Sequence, residues 1–205
     1  MKHTELSESS GHEVENLINL MAKLPGFGKR SARRAVLKMI NKRVNLLEPL
    51  AKAISDVNQK ACLCVECGNI GTSSVCLICS DPKRDSAKLC IVSEVSDLWA
   101  IERAGIFKGK FFVLGGVLSA LDGVGPDELR IPDLLEKIKC SSVSEVILAL
   151  SATIDGQTTA HYIADKLVPF KLSVTSLAHG VPVGGELEYL DEGTLDVAFR
   201  LRKDF

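Results

Sequence analysis

Apolar positions follow two rhythms along the 205-residue chain. In the first 60 residues they recur three and four apart, the spacing that gathers side chains on one face of a helix. Leu17, Ile18, Met21 and Leu24 predict a helix over residues 14–24, stopped by Pro25. A second helix is predicted over 31–41, and a third over 46–57, where Leu46, Leu47, Leu50, Ile54 and Val57 repeat. Lys83-Arg84-Asp85 reads as a polar link, and after it the rhythm changes. Short β-rich runs at 89–92, 111–114, 145–150 and 172–177 alternate with helical patterns at 95–104, 132–138 and 158–167. That alternation predicts a mainly parallel sheet covered by helices. A loop over 179–185 leads to residues 186–190 and a last helix over 194–201. No internal repeat or low-complexity tract is present.

Between the two rhythms lie Cys64-Val65-Glu66-Cys67 and, after eight intervening residues, Cys76-Leu77-Ile78-Cys79. Two Cys-x-x-Cys pairs at this interval are the sequence form of a four-cysteine zinc site. Gly68 suits the turn after the first pair, because glycine accepts a positive φ. Four thiolates fill a tetrahedral ion and leave no position for substrate, so one structural Zn2+ is expected. The alternative is four buried thiols. Cys62 is a possible substitute ligand, although Cys62-x-Cys64 makes the poorer knuckle; Cys62, Cys90 and Cys140 are read as ordinary small buried residues.

Composition narrows the class. Hydrophobic content of 46% with 25% charged residues is that of a globular protein. The longest uncharged apolar run, residues 111–121, holds two glycines and falls short of the roughly 20 residues of a spanning helix. Glu5, Glu8, Glu13 and Glu15 precede any apolar stretch, the wrong start for a secretory signal. Seven cysteines, four in metal spacing, fit a reducing compartment, so a cytoplasmic location is expected.

The net charge of −1 hides a division. Residues 23–52 hold nine bases (Lys23, Lys29, Arg30, Arg33, Arg34, Lys38, Lys42, Arg43, Lys52) and one acid, Glu48, whereas over residues 90–199 acids outnumber bases about two to one. The basic stretch surrounds Leu24-Pro25-Gly26-Phe27-Gly28-Lys29-Arg30-Ser31-Ala32-Arg33-Arg34. Gly26 and Gly28 let backbone approach a phosphate, and the unpaired amides opening the next helix point at it. Lys23, Lys29, Arg30, Arg33 and Arg34 add charge beside that cradle, and Ala32 is small enough for two helices to cross closely. The pattern is that of a helix-hairpin-helix gripping the DNA backbone without regard to sequence; a solvated basic face on a plain helical connection is the alternative.

Several motifs together resemble one family. They are Leu24-Pro25-Gly26-Phe27-Gly28 with Ser31-Ala32, the four cysteines, Asp97-Leu98-Trp99-Ala100-Ile101-Glu102, Val113-Leu114-Gly115-Gly116, and Pro182-Val183-Gly184-Gly185-Glu186-Leu187-Glu188-Tyr189-Leu190-Asp191-Glu192. Over residues 17–200 the chain resembles the bacterial RecR recombination mediators. The resemblance implies a helix-hairpin-helix, a four-cysteine zinc finger, a Toprim domain and a short C-terminal assembly region. It also implies partners of the RecO and RecF type, and a role in helping RecA displace single-strand-binding protein from DNA.

Two departures bear on chemistry. Where the Toprim group carries a glutamate after its first strand, this chain has Ser93, with the acid one place on at Glu94. Where the family shows Asn-x-x-x-Glu-Gly, this chain reads Ser151-Ala152-Thr153-Ile154-Asp155-Gly156. A Toprim enzyme needs hard oxygen ligands for magnesium, a glutamate and an Asp-x-Asp pair, and neither half is intact. Glu94, Asp97 and Asp155 remain as carboxylates for a borrowed metal or a partner, as do Glu186 and Glu188 in the acidic cluster with Asp191 and Glu192. His161 and His179 lack a paired nucleophile, Gly115-Gly116 and Gly184-Gly185 lack the P-loop lysine, and Trp99 reads as core.

The expectation is therefore an α/β multidomain chain: residues 1–60 a helix-hairpin-helix region, 61–83 a zinc finger, 84–178 a Toprim-like domain and 179–205 a C-terminal region. Its function is that of a non-catalytic, DNA-binding repair mediator, homo-oligomeric as a dimer or tetrameric ring and without membrane contact. A degenerate Toprim nuclease or primase-like enzyme is the rival, and a zinc-ribbon RNA binder is disfavoured for want of stacking aromatics.

Overall fold

A computed structural model of the chain describes residues 11–178 and 180–202; Glu5, Glu8 and His179 lie outside the described residues. The chain divides into two compact units, with the boundary between Lys60 and Ala61.

The first unit is helical: α1 (His12–Met21), α2 (Lys29–Asn41), a π-helical turn (Arg43–Leu47) and α3 (Glu48–Lys60). The first helix ends three residues before the predicted limit, because Lys23 and Leu24 bond back only three residues, to Leu20 and Met21. Its core is small: Ile18, Ala32, Val36 and Met39, with Leu17, Met21, Ala22, Leu46 and Leu47 against them. Ala32 is fully buried, as expected of a small residue where α1 and α2 meet. No residue of α3 is buried.

The second unit holds the hairpin β1 (Cys62–Leu63) and β2 (Ile70–Gly71), the short α4 (Leu77–Ser80), and a four-stranded sheet. That sheet comprises β3 (Asp85–Val92), β4 (Gly109–Val113), β5 (Glu145–Ala149) and β6 (Ser173–Ser176) in the order β4-β3-β5-β6, every pairing parallel. Its crossovers carry α5 (Val95–Ala104), α6 (Ile131–Lys139) and α7 (Ile154–Leu167), and α8 (Glu192–Arg200) follows the sheet. The strands alternate between two cores. Leu89, Ile91, Phe112, Val146 and Leu148 pack with Leu134 and Ile138 of α6 and Ile163 and Leu167 of α7, while Cys90, Val92, Phe111, Val113 and Ala149 pack with Leu98 of α5. Burial on both faces is why these strands read as continuous apolar runs. Val92 pairs with both Val113 and Ala149, so residues 93–94, 114–116 and 150–156 share the carboxyl end of the sheet.

Four sequence expectations need correction. Asp85 opens β3 instead of ending a polar link, since pairing with Gly109 extends the strand beyond its apolar part. Arg84, in that supposed link, has a side chain only 12% exposed and is paired with Glu102. Cys62 and Cys140 are exposed, and of the three additional cysteines Cys90 alone is buried. Trp99 is 54% exposed, on the outer side of α5.

Candidate metal centre and nucleic-acid interface

The Sγ atoms of Cys64, Cys67, Cys76 and Cys79 all lie within 4.8 Å of one another. Tetrahedral zinc with Zn–S bonds of about 2.3 Å needs sulfurs about 3.8 Å apart, so the four residues fit the ion. Local sequence builds this geometry. Gly68 sits at φ 78°, the left-handed conformation expected of it, and its amide donates to the Cys64 carbonyl at 2.8 Å. Cys76 caps α4 in extended conformation, so Cys79 returns to the site after one helical turn. Backbone amides point at sulfur: Asn69 N donates to Cys67 Sγ at 3.4 Å, and Cys76 N to Cys64 Sγ at 3.3 Å. A hydrogen bond from Cys79, with help from the Asn69 amide, holds the Cys67 thiol down at about 5, and Cys79, the donor, is pushed up. Burial raises Cys76. The cluster thus favours one thiolate by itself, and a bound cation would draw the remaining protons off. Cys62 takes no part.

In the helical unit Gly26 adopts φ 79°, which a side chain would strain. Gly28 is different: it caps α2 in extended conformation, and a Cβ there would meet nothing within 4 Å. The space over Gly28 is open to an incoming group. The first hydrogen bond of α2 runs from Ala32 N to Gly28 O at 3.0 Å, so the amides of Lys29, Arg30 and Ser31 precede the ladder. No side chain caps them, and the first turn holds no acid. Lys23, Lys29, Arg30, Arg33 and Arg34 are exposed; Arg33 lies 3.7 Å from Glu15, a long contact between two largely solvated groups.

The acids at the carboxyl end of the sheet are partly committed to structure. Glu94 caps α5 and accepts from the Asp97 backbone, while Asp97 Oδ2 accepts from Glu94 N at 3.0 Å. Asp155 sits half-buried in the first turn of α7. Glu186 and Glu188 are exposed, in the segment after β6. His161 is exposed.

The RecR helix-hairpin-helix model matches residues 14–57, the Toprim domain model residues 87–178 and the RecR C-terminal model residues 180–203. Recombination protein RecR of Cereibacter sphaeroides is 58% identical over 200 residues, 98% of this chain and 100% of that one. Recombination protein RecR of Ruegeria pomeroyi is 60% identical over 195 residues (95% and 98%), and that of Parvibaculum lavamentivorans 59% over 196 (96% and 98%). The chain belongs to the RecR family. It is a mixed α/β protein for DNA recombination and repair, with helix-hairpin-helix and Toprim domains and a four-cysteine metal-binding cluster.

The Toprim end lacks carboxylates at residues 93, 151 and 153. Ser93 is 8% exposed and offers a hydroxyl, without a hydrogen-bond partner, where the fold's glutamate would stand. Ser151 and Thr153 spend their hydroxyls on each other at 2.8 Å, and Thr153 also accepts from Gly156 N. Hydroxyls in place of carboxylates supply too little charge for a strongly hydrated dication.

The contacts that tie the cysteine module to the sheet were not foreseen from the sequence. Trp99 Nε1 donates to Asn69 Oδ1 at 2.9 Å, and the Arg130 guanidinium lies 4.7 Å over the Phe112 ring. Lys110 donates to three carbonyls, of Ile78, Cys79 and Asp81, at 3.1, 2.8 and 3.0 Å. One signal was available: Lys110 is the lone charge in the apolar run of β4.

Proposed function

We propose that this chain is a non-catalytic, DNA-binding recombination mediator. The observation that carries the reading is the amino end of α2, where three amides before the ladder, an open Gly28 and five exposed cations stand without any first-turn acid. Backbone phosphates are the ligand such an end suits, because amide dipoles and side-chain charges attract the same anion without reading bases. Zinc is the ion of the four cysteines, and its role is structural. The protein works in the cytoplasm, at the nucleoid during repair. Partners of the RecO and RecF type engage acids at the Toprim end and beyond it (Glu94, Asp97, Asp155, Glu186, Glu188), and the assembly helps RecA onto DNA coated with single-strand-binding protein. The four regions are residues 1–60, 61–83, 84–178 and 179–205.

A single hairpin offers few phosphate contacts, so useful affinity requires several hairpins on one DNA. Helix α3 supports a homo-oligomer, dimer or ring: Leu50, Ile54 and Val57 are 38%, 61% and 63% exposed and recur at the spacing of one helix face. A second copy of this chain is the occupant that also multiplies hairpins. Against the enzyme reading stands the misfit at Ser93, Ser151 and Thr153 described above.

The test is titration of labelled DNA at three salt concentrations with the parent and with Arg30→Ala/Arg33→Ala. The parent should bind all sequences alike, with a log–log slope of roughly −0.7 to −0.9 per phosphate neutralised, and the double variant should bind weakly with a flatter slope. An unchanged slope removes the hairpin from the DNA site. No cleavage, ligation or primer synthesis is expected with magnesium or manganese, and turnover abolished by Asp155→Asn would restore the enzyme reading.

A further inference from the structure

The four-cysteine module does more than close on its own metal. β4 is an outer strand of the sheet, and outer strands leave a row of backbone groups unpaired. Here residues of the module and its linker take those groups at both ends of the strand. At the carboxyl end Val113 N donates to the carbonyl of Cys67, a metal ligand, at 2.8 Å. At the amino end Arg84 Nη1 donates to Gly109 O at 3.0 Å. Between them Lys110 reaches out of β4 and spends all three of its donors on Ile78, Cys79 and Asp81, the carbonyls around and just after α4. Each Cys-x-x-Cys pair is therefore held by β4: the first through Cys67, the second through Cys79.

A second set of contacts seats the module. Asn69, 7% exposed, donates its backbone amide to Cys67 Sγ and accepts at Oδ1 from the Trp99 indole, which links a metal ligand to α5 through one residue. Gly68 lies beneath the Arg130 guanidinium, where a Cβ would fall 2.1 Å from Nη1 and displace it, while the φ of 78° is what holds the position to glycine. Glu66 meets Lys137 of α6 at 3.4 Å. A knuckle serving only its ion would need none of these, whereas an outer shell that fixes ligands to a sheet needs all of them.

We infer that the module is a metal-held cap on the outer edge of β4, with Lys110, Asn69 and Trp99 as positioning residues that transmit metal occupancy to the Toprim sheet. The inference rests on the reading of the four cysteines as an occupied metal site. With the ion bound, the edge is closed to strand pairing. On release of the ion the knuckles lose their mutual anchor, Cys67 O and the carbonyls around α4 leave, and β4 offers its edge to the same strand of a second copy. Metal loss then acts first at one side of the sheet, before any effect on its centre.

The experiment uses the full chain. Metal content is measured first; then the metal is withdrawn with a chromogenic chelator while hydrogen exchange is followed in peptides covering 109–113 and 145–149. The expected result is that exchange in β4 accelerates at least about ten-fold in step with metal release while β5, an inner strand, stays protected. Metal-free protein as purified would overturn the metal reading and this inference together. Stoichiometric metal whose release leaves 109–113 protected would overturn this inference alone, as would simultaneous loss of protection in β5, which marks global unfolding. Lys110→Met keeps all four sulfurs, so it should retain one ion per chain and release it about ten-fold faster; release at the parental rate sinks the coupling. Trp99 is the only tryptophan, and its emission should shift red with the rate constant of metal release. In Asn69→Ala the shift should already be present and should no longer follow the metal, and emission that still tracks release there removes Asn69 from the path.

Discussion

The Toprim sheet and the helical unit before it solve the problem of burial in opposite ways. The sheet is covered on both faces: Phe111, Phe112, Leu89, Ile91, Leu134 and Ile163 are all at most 1% exposed. Among the described residues the helical unit buries Ile18, Ala32, Val36 and Met39, and no residue of α3 is buried. A unit of this size buries a smaller fraction of its surface than a larger domain does. The contrast points to a division of labour: the sheet finds its cover within its own unit, whereas under the proposed function the exposed face of α3 would be covered by a second copy that also multiplies the hairpins.

The hardest test of that contrast is the metal. Cys67→Ser should leave no stoichiometric ion and lower the melting temperature by about 10 °C or more, since ligand binding and folding of a coreless module are one event. A metal-free variant that melts like the parent would mean that the sheet does not depend on its cap. Next comes the core. Phe112→Ala removes a side chain 1% exposed and should cost about 3–5 kcal/mol in urea unfolding, without changing the mass of the assembly.

The third substitution works on the other unit and should do the reverse. Ile54→Asp/Val57→Asp places charge on exposed positions, so unfolding of the Toprim unit should move by no more than about 0.5 kcal/mol. Mass by light scattering should fall, and DNA affinity should fall with it through lost avidity. If mass is unchanged, the exposed face of α3 is not the contact between copies.

The smallest effect separates buried from exposed thiols. Burial pushes the Cys90 thiol up to about 12 from 9.0, so the fold favours its neutral form. The stability this gives is complete below about pH 9 and is lost as pH rises through about 12. Urea midpoints between these values should therefore fall more steeply in the parent than in Cys90→Ala. In the native protein a small alkylating reagent should modify Cys62 and Cys140 and spare Cys90, and equal labelling of all three would contradict their burial.

Much was legible in the chain because its signals are local. The two cysteine pairs span sixteen residues, and the Gly26-Phe27-Gly28 turn carries its φ requirement and its charges in one stretch. The helix over 95–104 and the alternation of strands with helices followed from apolar period, since a pleat and a helix expose different residues to a core, whereas the order β4-β3-β5-β6 did not. Contacts between residues distant in sequence were settled by folding. Trp99 reads as core from its neighbours, yet its partner, Asn69, lies 30 positions away; Arg84 reads as linker, yet Glu102 lies 18 positions away. Cys62 and Cys140 look like Cys90 by residue type, and their exposure is set by which elements fail to cover them. Lys110 is the clearest case. A charge in an apolar strand has no local meaning, and it acquires one only when folding brings three carbonyls from residues 78–81 to its ammonium, because directional bonds between separate elements follow the packing that places them.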